Sequence, residues 1–489
     1  MERHFNVIST PRDTLLFDDA MYELCLEHAK SPETRKYMQW LRESLRGAGY
    51  AQSVYEPDQI FAQLDRFAEP SHPPFHWNRY YRRALKRMVK ELSRFNLAPT
   101  FCISNEALAE RLSSMDTHAG FIYLTDEVGG HRRSKGEWRD ELVSLRDKAL
   151  MDASEFGGNF SRPIMIASRT QAGNPIDEFN DYIMRPFKRK SRLVSMISLD
   201  VILVELEFSA AIQAALGTIG WYAGGKNNSS IYAWLRAHRE KGGQHMLTID
   251  YSSFDQTQSA WLIREAFELV KTMFRTLTPE EEVRYGYIVE SYIHKWFIDP
   301  RTGHTVESRK GTPSGDMFTQ IIDSVINRLM VLTYLEKIGI PNAEMMIMGD
   351  DNIIFTREPL DAGDLSGYLN ANFGVETNAS KMWQGHDVDP EFLSRYWRQE
   401  GVDRPNGLLL AKLWHPEKFI RYTEGKLEPK DKFLSYYMEY PVAMNRLFDM
   451  EGFFESKIPD ADTSQKRSEA IAAGVAKVRQ LERHFADLT

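Results

Sequence analysis

Residues 345–355 read MMIMGDDNIIF, two short apolar runs joined by Gly349, Asp350 and Asp351. Apolar runs on either side of a tight Gly/Asp turn predict a β-hairpin with two carboxylates at its tip. Adjacent carboxylates repel each other, and a divalent cation would relieve that repulsion. Oxygen ligands suit Mg²⁺, which proteins bind through one or two carboxylates together with substrate phosphates. By itself the tripeptide is more typical of a solvated turn, so a metal site requires partners elsewhere in the chain.

The composition is that of an ordinary globular protein, with 489 residues of which 42% are hydrophobic and 27% charged, and with no repeat period. The two cysteines, Cys25 and Cys102, give no sign of a disulfide scaffold or a Cys-based zinc site and fit a reducing compartment. The N-terminus lacks the apolar core of a signal peptide. The most apolar stretch, 193–222, contains Asp200, Glu205 and Glu207, and it therefore predicts a buried helix rather than a membrane span.

The net charge of −8 argues against a protein that coats nucleic acid, because such proteins are usually basic. It leaves open an enzyme that holds nucleic acid in a local basic channel. Five of the eight residues in the run 185–192, RPFKRKSR, are basic, among them Arg185, Lys188, Lys190 and Arg192. The run fits a solvated face or a localisation signal as well as a cationic strip that receives a triphosphate or an RNA backbone.

A second carboxylate site precedes the hairpin. The apolar run 246–249 predicts a strand that ends at Asp250, and Asp255 follows in the turn. Asp255 alternatively caps the helix predicted over 257–276, whereas Asp250 is harder to explain as a cap. A single turn cannot encircle two ions, so carboxylates from two strands are the ingredients of a two-metal site, which clamps both oxygens of an in-line displacement. We expect Asp250 and Asp350 to be metal ligands, with Asp351 in support.

The third chemical segment is the loop 311–320, GTPSGDMFTQ, which leads into a helix predicted over 315–336. A loop of small residues such as Ser314 and Gly315 at a helix start lets a backbone or a base approach closely and donates N–H groups to phosphate. A plain Gly/Pro loop with a Ser or Asp N-cap is the alternative. Near the C-terminus, the amphipathic pattern of 464–485 predicts a further helix.

The order of these pieces resembles that of the motifs of viral RNA-dependent RNA polymerases: the basic strip, the D-x4-D pair, the S-G-x3-T loop with its helix, and then G-D-D. The segment FTQIIDS at 318–324 is most similar to the polymerases of partitivirus-like double-stranded RNA viruses. Downstream, Lys381 is placed like the lysine of the fourth motif, and 392–394 like the primer-gripping hairpin. The motifs together span roughly 185 to 395.

The resemblance implies an α+β right-hand polymerase fold of fingers, palm and thumb, with an antiparallel palm sheet and mostly helical structure elsewhere. It implies an organisation into an N-terminal region bridging fingers and thumb (1–130), fingers (131–245 and 276–310), palm (246–275 and 311–400), and thumb with C-terminal helices (401–489).

The resemblance also implies catalytic roles. Asp250 and Asp350, with Asp351 beside them, would bind two Mg²⁺ ions, for which Mn²⁺ can substitute. Lys381 would be a general acid toward pyrophosphate. The triphosphate would be held by the basic strip, namely Arg185, Lys188, Lys190 and Arg192.

Ribose recognition is the part of the pattern in which this chain departs from its relatives. Asp255 would accept a hydrogen bond from the ribose 2′-hydroxyl, with help from Ser314 and Thr319, and the loop of Ser314 and Gly315 would form the substrate floor. Many relatives have Asn nine positions after the motif Ser, but Asp323 stands there, and Asn327 lies one helical turn later. Either Asp323 is protonated or hydrogen-bonded, or Asn327 takes the ribose role, or the intervening Ser and Thr do.

The implied activity is RNA-directed RNA synthesis that replicates and transcribes a viral genome. The implied partners are template and product RNA, ribonucleoside triphosphates and a viral capsid protein, in the virion interior and the host cytoplasm, with no membrane. A reverse transcriptase is the nearest rival, but it normally blocks the 2′-hydroxyl with a bulky residue and lacks the S-G-x3-T helix. A non-catalytic RNA-binding scaffold fits poorly with the net acidity and the set of metal acids.

Overall fold

The structure is a computed structural model. It describes residues 17–47, 57–74, 78–112, 115, 117–120, 122, 134–156, 162–172, 189–239, 245–299, 302–386, 389–416, 422, 427–458, 465, 467–469 and 471–472. Within these, side chains are not described at 156, 169–172, 189–191 and 386. Backbone contacts divide the chain into two compact units, of which the first contains Phe61–Ala167 and Leu193–Leu393 and the second contains Ser9–Ile60, Ser168–Arg192 and Ser394–Thr489.

The described helices are α1 (Asp19–Glu27), α2 (Pro32–Gly47), α3 (Pro57–Ala68), α4 (Arg79–Leu92), α5 (Asn105–Arg111), α6 (Leu142–Phe156), α7 (Leu199–Gly217), α8 (Asn228–Arg239), α9 (Phe254–Thr257), α10 (Ala260–Lys271), α11 (Pro279–Ile293), α12 (Thr319–Ile338), α13 (Ala362–Phe373), α14 (Asn406–Trp414), α15 (Pro429–Glu439), α16 (Pro441–Leu447) and α17 (Met450–Lys457). The described strands are β1 (Pro163–Ala172), β2 (Arg189–Met196), β3 (His245–Leu247), β4 (Tyr251–Ser252), β5 (Lys295–Ile298), β6 (Thr305–Ser308), β7 (Glu344–Met348), β8 (Asp351–Thr356), β9 (Glu376–Thr377), β10 (Gln384–His386), β11 (Glu391–Phe392), β12 (Arg395–Arg398) and β13 (Gly401–Asp403).

The first unit contains an antiparallel sheet of four strands in the order β10-β3-β8-β7. The predicted hairpin is confirmed as β7 and β8, with Met348 opposite Asp351. Gly349 and Asp350 therefore form the turn, while Asp351 is the first residue of β8. Gly349 has φ +63°, a conformation that glycine adopts without a steric cost and that suits the first position of a two-residue hairpin loop.

The long helix α12 backs this sheet and is the centre of the first unit's core. It packs against α4, α10, α13 and β7. Its residues are buried on every side from Ile321 to Leu335, as expected for a helix with neighbours all round. The prediction of a helix here is confirmed, but the helix begins at Thr319, since residues 315–318 belong to the preceding loop.

Two other sequence predictions differ in detail from the structure. The helix predicted over 257–276 is α10, which begins later, at Ala260, and ends earlier, at Lys271; Gln258 and Ser259 separate it from the short α9. The stretch 193–222 was predicted to be a buried helix, but residues 193–196 belong to β2 and the helix is α7. Its acidic residues are buried, and Asp200 is paired with Arg162 at 2.6 Å. The helix predicted over 464–485 lies mostly outside the described residues. No helix among the described segments is long and apolar enough to cross a membrane.

A second sheet has the strand order β2-β1-β5-β6. In the first unit it pairs β1 with β5 in parallel and β5 with β6 antiparallel. In the second unit, α1 packs against α14 and α15. Its hairpin of β12 and β13 carries Asp403, a buried carboxylate that accepts hydrogen bonds from Arg446 at 2.9 Å.

Candidate active site

The strand segments that carry Asp250 and Asp350 are neighbours. Strands β3 and β8 pair antiparallel, with Leu247 opposite Ile354. Asp250 lies three residues beyond Leu247, on the side of the sheet where β8 begins and the hairpin turn lies. Asp350 is exposed and Asp250 is half-buried, so both carboxylates can be reached by a substrate.

The turn that carries Asp350 is held from below by α12. The hydroxyl of Ser324 accepts a hydrogen bond from Gly349 N at 2.8 Å, and Asn327 Nδ2 donates to Gly349 O at 2.9 Å. Ser324 and Asn327 are one helical turn apart and fully buried. The position of the turn is therefore set by a rigid helix rather than by the flexible tip of a hairpin.

The donor set fits Mg²⁺, which is commonly bound by one or two carboxylates together with substrate phosphates. In the part of the chain that the structure describes, no group of three or more His, Cys, Asp and Glu side chains is arranged to hold a metal ion. Asp250 and Asp350 supply two carboxylates, which is enough for a site that substrate phosphates complete. Asp351 is exposed at the start of β8.

The loop that begins at Gly311 is hydrogen-bonded to α9 and to the residue that follows it. Thr312 N donates to Asp255 O at 2.6 Å, and Gly311 N donates to Gln258 O at 2.7 Å. Asp255 is half-buried at the start of α9, on the segment between Asp250 and this loop. Backbone hydrogen bonds therefore join the segment that contains Asp250 and Asp255 to the loop that begins at Gly311.

Asp323 is buried beneath this junction. Gln258 Nε2 donates to Asp323 Oδ1 at 2.8 Å, and the aspartate is 3% exposed. Burial, and then the charges of Asp255 and Asp350, raise the pKa of Asp323 well above its usual range. The raised pKa favours the neutral form of Asp323, which weakens the repulsion between facing carboxylates that the sequence suggested.

Ser314, Gly315 and Thr319 shape the loop in front of α12. Ser314 Oγ donates to Leu193 O at 3.1 Å, and Ser195 N donates to Ser314 O at 3.0 Å. Thr319 Oγ1 donates to Pro313 O at 2.6 Å. Gly315 has φ +106°, and a Cβ there would collide with the Ser195 carbonyl oxygen. Only glycine lets the loop approach β2 this closely.

Lys295, which sequence analysis did not single out, supports the other end of the loop. Its Nζ donates to Gly311 O and to Tyr292 O, each at 2.7 Å. Burial lowers the pKa of Lys295 to about 7. This lysine joins the end of α11 to the start of the loop, a contact between distant residues that no local pattern signals.

The remaining predicted site residues are placed as follows. Lys381 is exposed in a 3₁₀ turn (Ala379–Lys381), and the preceding Asn378 N donates to Asp250 O at 3.2 Å. Arg192 is exposed on β2. Arg185 and Lys188 lie outside the described residues. Lys190 lies on β2, but its side chain is not described. The assignment of the triphosphate to these basic residues stays a prediction.

Comparison with known proteins supports the same family. The family model described as viral RNA-dependent RNA polymerase matches residues 188–438, just over half of the chain. The RNA-directed RNA polymerase of Cryptosporidium parvum virus 1 (strain KSU-1) is 29% identical over 116 residues, which cover 22% of this chain and 20% of that protein. That of Atkinsonella hypoxylon virus (isolate 2H) is 36% identical over 76 residues, or 14% and 11% of the two proteins. Each match thus spans a fifth or less of the relative's length.

Solved structures show the same fold. The insertion-loop deletion mutant of the RNA-dependent RNA polymerase of a human picorbirnavirus covers 98% of this chain, with 96% of its own length aligned, a TM-score of 0.62 and 14% identity. The polymerase without that deletion covers 84%, with 77% of its own length aligned, a TM-score of 0.58 and 15% identity. The predicted α+β right-hand polymerase fold and the resemblance to partitivirus-like polymerases are confirmed. The chain belongs to the viral RNA-dependent RNA polymerase family.

Proposed function

We propose that this chain is an RNA-directed RNA polymerase that replicates and transcribes a viral RNA genome by two-metal nucleotidyl transfer, with release of pyrophosphate. The observation that carries the proposal is the placement of Asp250 and Asp350 on neighbouring strand segments, in a chain that belongs to this family. Both carboxylates are accessible, and the turn that carries Asp350 is fixed by α12.

Asp250 and Asp350 would hold the metal ions, with Asp351 in support. When bound, two Mg²⁺ or Mn²⁺ ions would lower the pKa of the primer 3′-hydroxyl and neutralise charge on the leaving pyrophosphate. The protein's own contribution is to fix the two carboxylates before the substrate arrives, because preorganised groups do not have to be rearranged during the reaction.

The incoming triphosphate would be bound by the cations of the basic strip, and Lys381 would release a proton from Nζ to the pyrophosphate oxygen as the bond breaks. Guanidinium groups such as that of Arg192 suit phosphate because they donate paired N–H groups. Lys381 is exposed and lies near the backbone of Asp250 through Asn378, which supports this role.

Asp255 would select ribose by accepting a hydrogen bond from the 2′-hydroxyl. Its half-buried position beside the loop of Ser314 and Thr319 supports the assignment. Asp255→Ala should lower the preference for ribonucleotides over deoxyribonucleotides. We would abandon this role if single-nucleotide incorporation gave an unchanged preference ratio.

The proposed partners are RNA template and product, ribonucleoside triphosphates and a viral capsid protein, in the virion interior and the host cytoplasm. The enzyme class is tested by extending a labelled RNA primer on RNA and DNA templates with ribo- or deoxyribonucleotides in Mg²⁺. The proposal expects extension on RNA with ribonucleotides. Extension with deoxyribonucleotides instead would indicate a reverse transcriptase, and binding of RNA without extension would indicate a scaffold.

A further inference from the structure

Two buried asparagine side chains converge on the main-chain carbonyl of Asp350. Asn327 Nδ2 donates to Asp350 O at 3.1 Å, and Asn352 Nδ2 donates to the same oxygen at 3.2 Å. Asn327 lies on α12 and is 0% exposed, while Asn352 lies on β8 and is 2% exposed. A carbonyl oxygen has two lone pairs, so both donors can be accepted at once.

The other end of each amide reaches a residue that flanks Asp250. Asn352 Oδ1 accepts from Ile249 N at 3.0 Å, and Asn327 Oδ1 accepts from Tyr251 OH at 3.1 Å. One asparagine thus connects Asp350 to the residue before Asp250, and the other connects it to the residue after. The two amides bridge the backbones of the proposed metal-binding residues from both sides.

The chemistry of the partners fixes the orientation of both amides. Ile249 N can only donate a hydrogen bond, and the carbonyl oxygens of Asp350 and Gly349 can only accept one. Each amide therefore points its oxygen toward the Asp250 segment and its nitrogen toward the turn. An aspartate at either position would place an oxygen against the Asp350 carbonyl. A leucine at either position would remove the hydrogen bonds to the Asp350 carbonyl and to the residue that flanks Asp250.

We propose that Asn327 and Asn352 are positioning residues that fix the distance between the segments carrying Asp250 and Asp350, and through it the spacing of the two metal ions. The proposal rests on the proposed function. Two-metal sites need a separation of roughly 3.5–4 Å, so a small shift of one carboxylate weakens the pair. The proposal also assigns Asn327 to the turn rather than to the ribose, because its amide oxygen already accepts from Tyr251 OH and its amide nitrogen already donates to Gly349 O and Asp350 O.

The test uses Asn327→Leu and Asn352→Leu in the whole 489-residue chain. Thr333→Val is the matched control, since Thr333 is equally buried on α12 and its hydroxyl donates to Leu329 O of the same helix, at 2.7 Å. Partners of metal ligands typically contribute 10–100-fold to metal affinity. We expect each leucine variant to weaken Mn²⁺ binding by at least about tenfold, measured by electron paramagnetic resonance with primer–template RNA and a non-hydrolysable ribonucleotide.

The Mg²⁺ concentration for half-maximal primer extension should rise by a similar factor in both variants, whereas the KM for primer–template should not change. The control should match the wild type in every measurement. Wild-type Mn²⁺ affinity in folded leucine variants would overturn the proposal. If the leucine variants do not fold, Asn327→Ala and Asn352→Ala, which remove the amide without adding bulk or charge, carry the same expectation. A wild type without template-directed synthesis would instead refute the proposed function.

Discussion

Gly315→Ala tests whether the loop before α12 must lie against β2 for activity. At φ +106° an alanine is strained by about 1–3 kcal/mol. Its Cβ would also collide with the Ser195 carbonyl oxygen, so the loop would have to withdraw by roughly 1 Å to reach ordinary contact distance. That movement would break the bonds from Ser195 N to Ser314 O and from Ser314 Oγ to Leu193 O.

The loop shapes the proposed substrate floor, and a displacement of about 1 Å can reduce the rate about 100-fold. We therefore expect kcat/KM for single-ribonucleotide incorporation to fall about 100-fold in Gly315→Ala. Rapid-quench measurement of incorporation at varied nucleotide concentration gives both constants.

Gly339→Ala is the matched control. Gly339 follows α12 with φ +82°, but a Cβ there would meet nothing within 4 Å. This variant has the backbone strain without the collision, so it should lower the melting temperature and keep the wild-type kcat/KM. Activity of Gly315→Ala within threefold of the wild type, or an equal loss in both variants, would refute the reasoning.

Three further variants test the buried polar groups. Asp323→Asn should raise the melting temperature by about 2 °C or more at pH 8 and by less at pH 5, because a raised carboxyl pKa means that wild-type stability falls as pH rises from the usual carboxyl range; an equal effect at both pH values would contradict it. Asp403→Ala should cost the second unit about 3 kcal/mol in denaturant unfolding at pH 7. Burial raises the pKa of Asp403, but Arg446 and Arg398 outweigh it and leave the pKa low, so this difference should be lost as the pH falls through that value. Ser324→Ala leaves Gly349 N without its acceptor and should cost about 1–3 kcal/mol; an unchanged melting temperature would show that the bond from Gly349 N to Ser324 does not stabilise the turn.

The sequence predicted those parts of the fold whose causes are local. The hairpin follows from alternating apolar runs around Gly349, and α12 from its apolar period. The start of α12 was misplaced because Gly315 serves a close approach to Ser195, which is far away in the chain. The break between α9 and α10 was missed because Gln258 is held by Gly311 and Asp323, neither of which is a sequence neighbour.

In the candidate site, too, the sequence predicted the residues with a local signal and missed those whose roles depend on tertiary contacts. Charged residues such as Asp250 and Asp350 stand out in a sequence because folding alone does not explain them. Supporting residues such as Asn352, Ser324 and Lys295 are polar residues in or beside apolar runs, and their roles depend on backbone groups that only the tertiary structure brings near. For Asn352, the one local signal was its own position, since it is a polar residue at the start of an apolar run that is expected to be buried.

The central claim is that Asp250 and Asp350 together hold the catalytic metal ions. It is tested most directly by single-nucleotide incorporation in Mg²⁺ by Asp250→Asn and Asp350→Asn, with Asp361→Asn as control, because Asp361 is an exposed cap of α13 that asparagine replaces well. A metal ion contributes several kcal/mol to such a reaction, so each active-site variant should lose roughly 1,000-fold or more in kcat with an unchanged melting temperature. Either variant retaining more than a tenth of the wild-type kcat would contradict the account.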